Sequence, residues 1–173
     1  MAHRVKLDES NSTRVSAEDL HSQLSMIFQA VETPENHADI AAKVLVSASV
    51  RGVDTHGVSQ VIGYSEAIEN GFFTVPQQTS VITESETTAL LSAGNGIGLV
   101  SAYEGMEIAI RKAHEYGLGM VSIRDGHHVG MVAYYAMMAL EQDMIGMSMT
   151  TATPAVRPAL GARKMLGTNP IGF

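Results

Sequence analysis

The chain has 173 residues, 45% of them apolar, a formal net charge of −7 and no cysteine. That length suits one ordinary domain or two small ones. The acidity argues against a nucleic-acid partner, and the absence of cysteine excludes a disulfide framework or a thiolate metal site. No apolar run approaches the roughly 20 residues of a bilayer span, and the opening MAHRVKLDESNSTR lacks the apolar stretch of a signal peptide. The expectation is a soluble, cytoplasmic protein with no membrane partner, in which residues 1–15 form a disordered polar leader.

Three helices are expected first. SAEDLHSQLSMIFQAV starts with Ser16 and carries Asp19 three residues later, a near-match to a capping box. Leu20, Leu24, Ile27, Phe28 and Val31 then give an apolar stripe. TPENHADIAAKVLVSASVRG places Thr33 as N-cap, Pro34 at the first helical position and Gly52 at the end. GVSQVIGYSEAIENG gives a helical period through Val58, Val61, Ile62, Ser65 and Ile68.

After FFTVPQQ the texture changes. TSVITESETTALLSAG contains two β-rich runs around an acidic turn and predicts a pair of strands. GLVSAYEGMEIAIRKAHEYG predicts an amphipathic helix closed by Gly117, with Arg111, Lys112 and His114 near its C-terminus. LGMVSIRDG reads as a strand, GMVAYYAMMALEQD as a helix, MIGMSMTT as a strand, ATPAVRPALGARK as a loop and MLGTNPIGF as entry into a buried strand. The reading divides the chain into a helical domain over 16–75 and an α/β region over 76–173. The sequence stops at Phe173 inside an apolar run, so the expectation is that polypeptide outside this chain completes the fold.

Three stretches carry polar groups suited to chemistry. In RGVDTHGV, Asp54 or Thr55 could cap the third helix and place His56 at its first turn. The dipole there lowers an imidazole pKa and a carboxylate raises it, so such a histidine can exchange protons near neutrality. A plain N-cap with a surface histidine fits the pattern equally well. In RDGHHVGMVAYY, His127 and His128 stand at a strand-to-helix junction, where open sheets bind ligands; two turn histidines are the ordinary alternative. Adjacent side chains tend to diverge and no carboxylate spacing accompanies them, so no metal site is expected. In SAGNGIGLVSA, glycines 94, 96 and 98 follow a strand and open a helix. The spacing is G-x-G-x-G, with Leu99 where a dinucleotide fingerprint needs its third glycine, and no acid follows about twenty residues on. A glycine-rich turn into a helix is the better reading.

RGVDTHGV, GHHVGMVAYYAMMALEQDMIGMSMT and MLGTNPIGF, in this order, resemble the type-2 malate/L-lactate dehydrogenase family from about residue 16 to 173. The resemblance implies an α/β (α+β) fold: a helical N-terminal domain and a non-Rossmann, largely antiparallel-sheet cofactor domain, incomplete in this chain. It implies an NAD(P)-dependent oxidoreductase that moves a hydride between nicotinamide, from NAD or NADP, and a small 2-hydroxy or 2-oxo acid (malate-, lactate- or ureidoglycolate-like) or a cyclic imine acid. A homodimer is implied, with the C-terminal half possible on a separate chain. A truncated family member acting as a binding or assembly module is the alternative.

By resemblance, His56 matches a proton donor and Thr55 a relay hydroxyl beside it. His128 matches a residue that acts as the acid–base group in some members. In others it begins a cofactor-contacting run, here His128, Val129, Gly130, Met131 and Val132. Two acids are therefore in play, and the preferred assignment is His56 as donor with His128 placing the nicotinamide. Thr168 matches a substrate contact, and Ala152 stands where members carry a cofactor-contacting serine. Gln60 occupies the position of an arginine that holds the substrate carboxylate. An amide there offers neutral hydrogen bonds in place of a bidentate charged pair.

Overall fold

A computed structural model describes residues 13–173; most of the expected polar leader lies outside the described residues. The order is α1 (Ala17–Ala30), α2 (Glu35–Val50), two 3₁₀ turns (Asp54–His56 and Val58–Gln60), α3 (Val61–Glu69), β1 (Ser80–Glu84), β2 (Thr88–Ser92), α4 (Gly98–Tyr116), β3 (Met120–Arg124), α5 (Ala133–Leu140), β4 (Ser148–Met149) and β5 (Ile171–Gly172). None of the helices described is long and apolar enough to cross a membrane.

Local signals act largely as the sequence predicts. Ser16 caps α1 by accepting from the Asp19 amide. Leu24 and Phe28 are buried, while Ile27, expected on the same stripe, is 42% exposed. The start of α2 is shifted: Pro34 is the N-cap residue, and the buried Thr33 hydroxyl has no hydrogen-bond partner. Gly117 ends α4 in the left-handed conformation, at φ 81°.

The third helix is shorter than its period suggests. Residues 54–60 form tighter 3₁₀ turns, and the α-helix starts at Val61. Its core face carries Tyr64 and Ile68, with Val61 packed against them, whereas Ile62 is 66% exposed.

The strands form two small sheets. β1 and β2 pair antiparallel with a register irregularity between Val81 and Thr83. β2 and β3 pair parallel, Thr88 opposite Met120 and Ser92 opposite Arg124, with α4 as the crossover. β4 and β5 pair antiparallel. The strand expected in MIGMSMTT is only two residues long. Gly146 packs directly on the α5 backbone at Ala136, and Pro170, preceding β5, has no N–H to extend the ladder. The expected burial of the final run is also corrected: Gly172 is buried, but Ile171 and Phe173 are exposed.

One hydrophobic cluster joins the helices to the sheet region. It includes Phe28, Val44 and Leu45 from the first two helices, Leu99 and Val100 from α4, and Tyr135 from α5. This core ties the segment that carries His56 to the segment that carries His128.

Candidate active site

The first half of the site is the turn after α2. Gly52 takes φ 73°, and the Val53 amide returns to the Ala48 carbonyl. The polar residues that follow fasten the 3₁₀ turns. Ser59 donates to the Asp54 carbonyl at 2.9 Å, Gln60 Nε2 donates to the Thr55 carbonyl at 2.9 Å, and Ser49 Oγ accepts from the Val58 amide at 3.0 Å. Gly57 is pressed against Ser49, where a Cβ would collide with its side chain. The Thr55 hydroxyl lies 2.9 Å from His56 Nδ1. His56 therefore sits in a 3₁₀ turn ahead of α3, and neither Asp54 nor Thr55 caps α3 with its side chain. Among the described residues no ion pair links Asp54 to His56; the hydroxyl, not the carboxylate, is the ring's neighbour.

The second half is the junction between β3 and α5. Asp125 takes φ 56°, and its carboxylate accepts from Ser92 Oγ at 2.9 Å. The adjacent histidines diverge. His127 packs on Phe73, ring centroids 4.3 Å apart, and its Nε2 is 2.8 Å from Asn95 Oδ1. His128 turns toward the helical segment. Its Nδ1 lies 2.8 Å from the Tyr64 hydroxyl, which also donates to the His128 carbonyl at 3.1 Å. Two further contacts hold the loop: Tyr135 donates to the Val129 carbonyl at 2.6 Å, and Gly98 lies against the His127 and His128 carbonyls, where a Cβ could not fit.

These two halves meet in a stack. The His56 and His128 rings are 5.3 Å apart between centroids and inclined by 29°. Each ring has its Nδ1 beside a hydroxyl, and among the described residues neither Nε2 has a hydrogen-bond partner. Partial burial, and then the neighbouring His56 imidazole, pushes the His128 pKa below its ordinary value. Burial holds the Tyr64 phenol well above its ordinary pKa, so it stays protonated. The pair thus offers two Nε2 atoms without a hydrogen-bond partner among the described residues, and a proton entering it is disfavoured on His128.

The remaining expected site residues are distributed differently. Gly130, at φ 65°, and Met131 are buried, Val129 and Val132 are partly buried, and the Met131 carbonyl accepts from the Tyr134 amide at 3.0 Å. Ala152 and Thr168 are exposed on the segment between β4 and β5, which the Asn169 carboxamide fastens by accepting from the Ala152 amide at 2.9 Å. Among the described residues no hydrogen bond joins either of them to the histidine pair. Among the described residues no three histidine or acidic side chains group as candidate metal ligands.

Sequence reasoning missed Tyr64, Phe73, Asn95 and Ser49. Only Tyr64 carried a usable signal. It stands three residues after Val61 and four before Ile68, on the stripe that faces the core, and it brings a hydroxyl into that stripe.

The malate/L-lactate dehydrogenase family model matches residues 15–173. The chain is 38% identical over 165 residues to the malate dehydrogenase of Pyrococcus abyssi, covering 95% of this chain and 46% of that protein. It is 39% identical over 159 residues to the malate/(S)-sulfolactate dehydrogenase of Methanothermus fervidus, covering 92% and 47%. Its structure superposes on that of malate dehydrogenase from Pyrococcus horikoshii OT3 with a TM-score of 0.89 at 40% identity, covering 92% of this chain and 46% of that one. The chain therefore spans about half the length of the curated relatives it matches. A glycine turn that fails the dinucleotide fingerprint, a paired-histidine site built across a helix turn and a strand end, and agreement in sequence and fold over nearly the whole chain lead to one conclusion: this chain belongs to the malate/L-lactate dehydrogenase family.

Proposed function

We propose that the protein is a nicotinamide-dependent dehydrogenase acting on a small 2-hydroxy or 2-oxo acid, with His56 as proton donor to the substrate oxygen and His128 beside the nicotinamide. The observation that carries this reading is the His56–His128 stack, which places two imidazoles with free Nε2 atoms at one point. Burial, and then the neighbouring His56 imidazole, disfavour a proton on His128, and this reading therefore gives the donor role to His56. The Thr55 hydroxyl orients His56 at Nδ1 and can exchange a proton with it.

The residues fit the cofactor. A neutral, half-exposed His128 ring puts no full positive charge beside an oxidised nicotinamide, which is itself cationic, and Val132 adds a partly buried apolar neighbour. Nicotinamide, when bound, supplies or accepts the hydride. His128 and Val132, with the main chain of Val129, Gly130 and Met131, would hold its ring, and Gln60 and Thr168 would bind the substrate acid. Ala152 would meet the cofactor without the hydroxyl of the usual serine. NAD or NADP serves equally in this reading, and cyclic imine acids stand beside 2-oxo acids as substrates. The same reading takes the protein as a homodimer of the cytoplasm.

The test is an NAD(P)H-oxidation screen over 2-oxo acids and cyclic imine acids on the protein isolated in its native form. Turnover with one of them is expected. In the same assay His56→Ala should lower turnover by roughly 10² to 10⁴ while leaving cofactor affinity near the wild-type value. Full activity in His56→Ala, with loss confined to His128→Ala, would reverse the two roles. A folded protein with no turnover on any substrate would make it a binding or assembly module.

A further inference from the structure

Tyr64 is 4% exposed, and its hydroxyl faces two atoms of one residue, His128 Nδ1 at 2.8 Å and the His128 carbonyl oxygen at 3.1 Å. A phenol has one proton and a carbonyl can only accept. Both bonds form together only if the phenol donates to the carbonyl and Nδ1–H donates to the phenol oxygen. We propose that Tyr64 is a positioning residue that fixes His128 as the Nδ1–H tautomer, so that its Nε2 meets a bound ligand as a hydrogen-bond acceptor. The ligand group recognised there is an uncharged donor: the hydroxyl of a 2-hydroxy acid or the carboxamide N–H of nicotinamide. This consequence for ligand recognition rests on the proposed dehydrogenase reading; the tautomer does not.

The neighbouring histidine supplies an internal contrast. Asn95 Nδ2 donates to the Phe72 carbonyl at 3.0 Å, which leaves Asn95 Oδ1 as acceptor for His127 Nε2–H at 2.8 Å. Adjacent histidines therefore carry opposite tautomers. His127 is turned inward as a latch between the 72–73 segment and the glycine loop, and His128 is turned toward the site with a bare Nε2.

The experiment is two-dimensional ¹⁵N–¹H correlation of the imidazole rings in protein labelled at histidine nitrogen, at a pH well above the imidazole range. The wild type should show His128 as Nδ1–H and His127 as Nε2–H. In Tyr64→Phe the proportion of Nε2–H at His128 should rise about tenfold, the bias of one lost hydrogen bond, with His127 unchanged. Wild-type His128 found as Nε2–H would overturn the proposal without any variant. Wild-type Nδ1–H that persists in Tyr64→Phe would overturn Tyr64 as its cause. Adding NAD⁺ alone and L-malate alone then separates the two donors by which one moves the His128 Nε2 resonance; movement with neither would remove the acceptor role. These signals need no turnover, so their failure is distinct from failure of the enzymatic assay.

Discussion

Gly98→Ala tests whether the close packing of α4 on the His127–His128 loop positions the site. An alanine inside a helix normally improves stability over glycine by about 0.5–1 kcal/mol. At Gly98 the added Cβ would meet the carbonyl oxygens of His127 and His128 and lie 2.8 Å from the His127 carbonyl carbon. These are backbone atoms, and their loop is pinned by the Tyr135–Val129 bond and by His127 on Asn95. They cannot rotate away as a side-chain tip could. Forcing in the methyl should cost about 1–3 kcal/mol, which set against the helical gain leaves a net loss of up to about 2.5 kcal/mol. Gly63 provides the opposite case. It lies within α3, is exposed, and an added methyl there would have nothing within 4 Å of it. Gly63→Ala should stabilise by about 0.5–1 kcal/mol. Urea unfolding midpoints at constant m-value measure both changes, and only Gly98→Ala should also perturb the His128 ring resonances. A Gly98→Ala protein as stable as the wild type, with His128 unmoved, would refute the argument that this glycine is kept for close approach.

Gln60→Arg should tighten binding of substrates with a carboxylate beside the reacting carbon by about 1–3 kcal/mol, because a guanidinium can make a paired charged bond; steady-state KM values across carboxylate substrates check it, and no change would assign the carboxylate to another residue. Tyr135→Phe removes the donor to the part-buried Val129 carbonyl and should lower stability by about 1–3 kcal/mol, read from thermal melts. The depressed pKa of His128 sets a pH dependence with a definite sign. Unfolded, its imidazole takes up a proton near pH 6.5; folded, it does so only at lower pH. Between those values the unfolded state binds more protons, so this contribution is fully present above about pH 6.5 and is lost as the pH falls through that range to below the folded value. Melting temperatures over this window should show a shallower acid limb in His128→Gln, and an unchanged limb would locate the effect elsewhere.

Local chemistry explains which elements were legible in the sequence. The Ser16 cap, the Gly117 stop and the two β-rich runs around the acidic turn at 84–88 act within a few residues, and the structure places their elements within a residue or two of expectation. The third helix was misjudged because Val58 and Val61 satisfy a helical period while Gly57 and the Ser49 hydroxyl impose tighter turns from a neighbouring element. The short β4 follows from Pro170, more than twenty residues away in sequence. At the site, His56 and His128 were visible as two alternatives for one role. Their stacking was not, since 72 positions separate them and it takes the shared core and the Tyr64–His128 bonds to bring them together.

The glycine stretch shows how the same residues can mislead and then explain. Glycines after a strand and before a helix suggest a phosphate cradle, because backbone must come close to a pyrophosphate. Here the close approach is real but its object is protein. Gly94 and Asn95 take φ 58° and 62°, Gly96 packs on Gln77, and Gly98 packs on the His127–His128 carbonyls. Gln77 Oε1 accepts from the buried Ile97 amide at 2.7 Å, satisfying a helix-start donor that a phosphate would otherwise meet. The turn is therefore occupied from within, and its consequence for function lies one step away. Gly98 packs on the carbonyls of the loop that carries His128, whose ring stacks on His56.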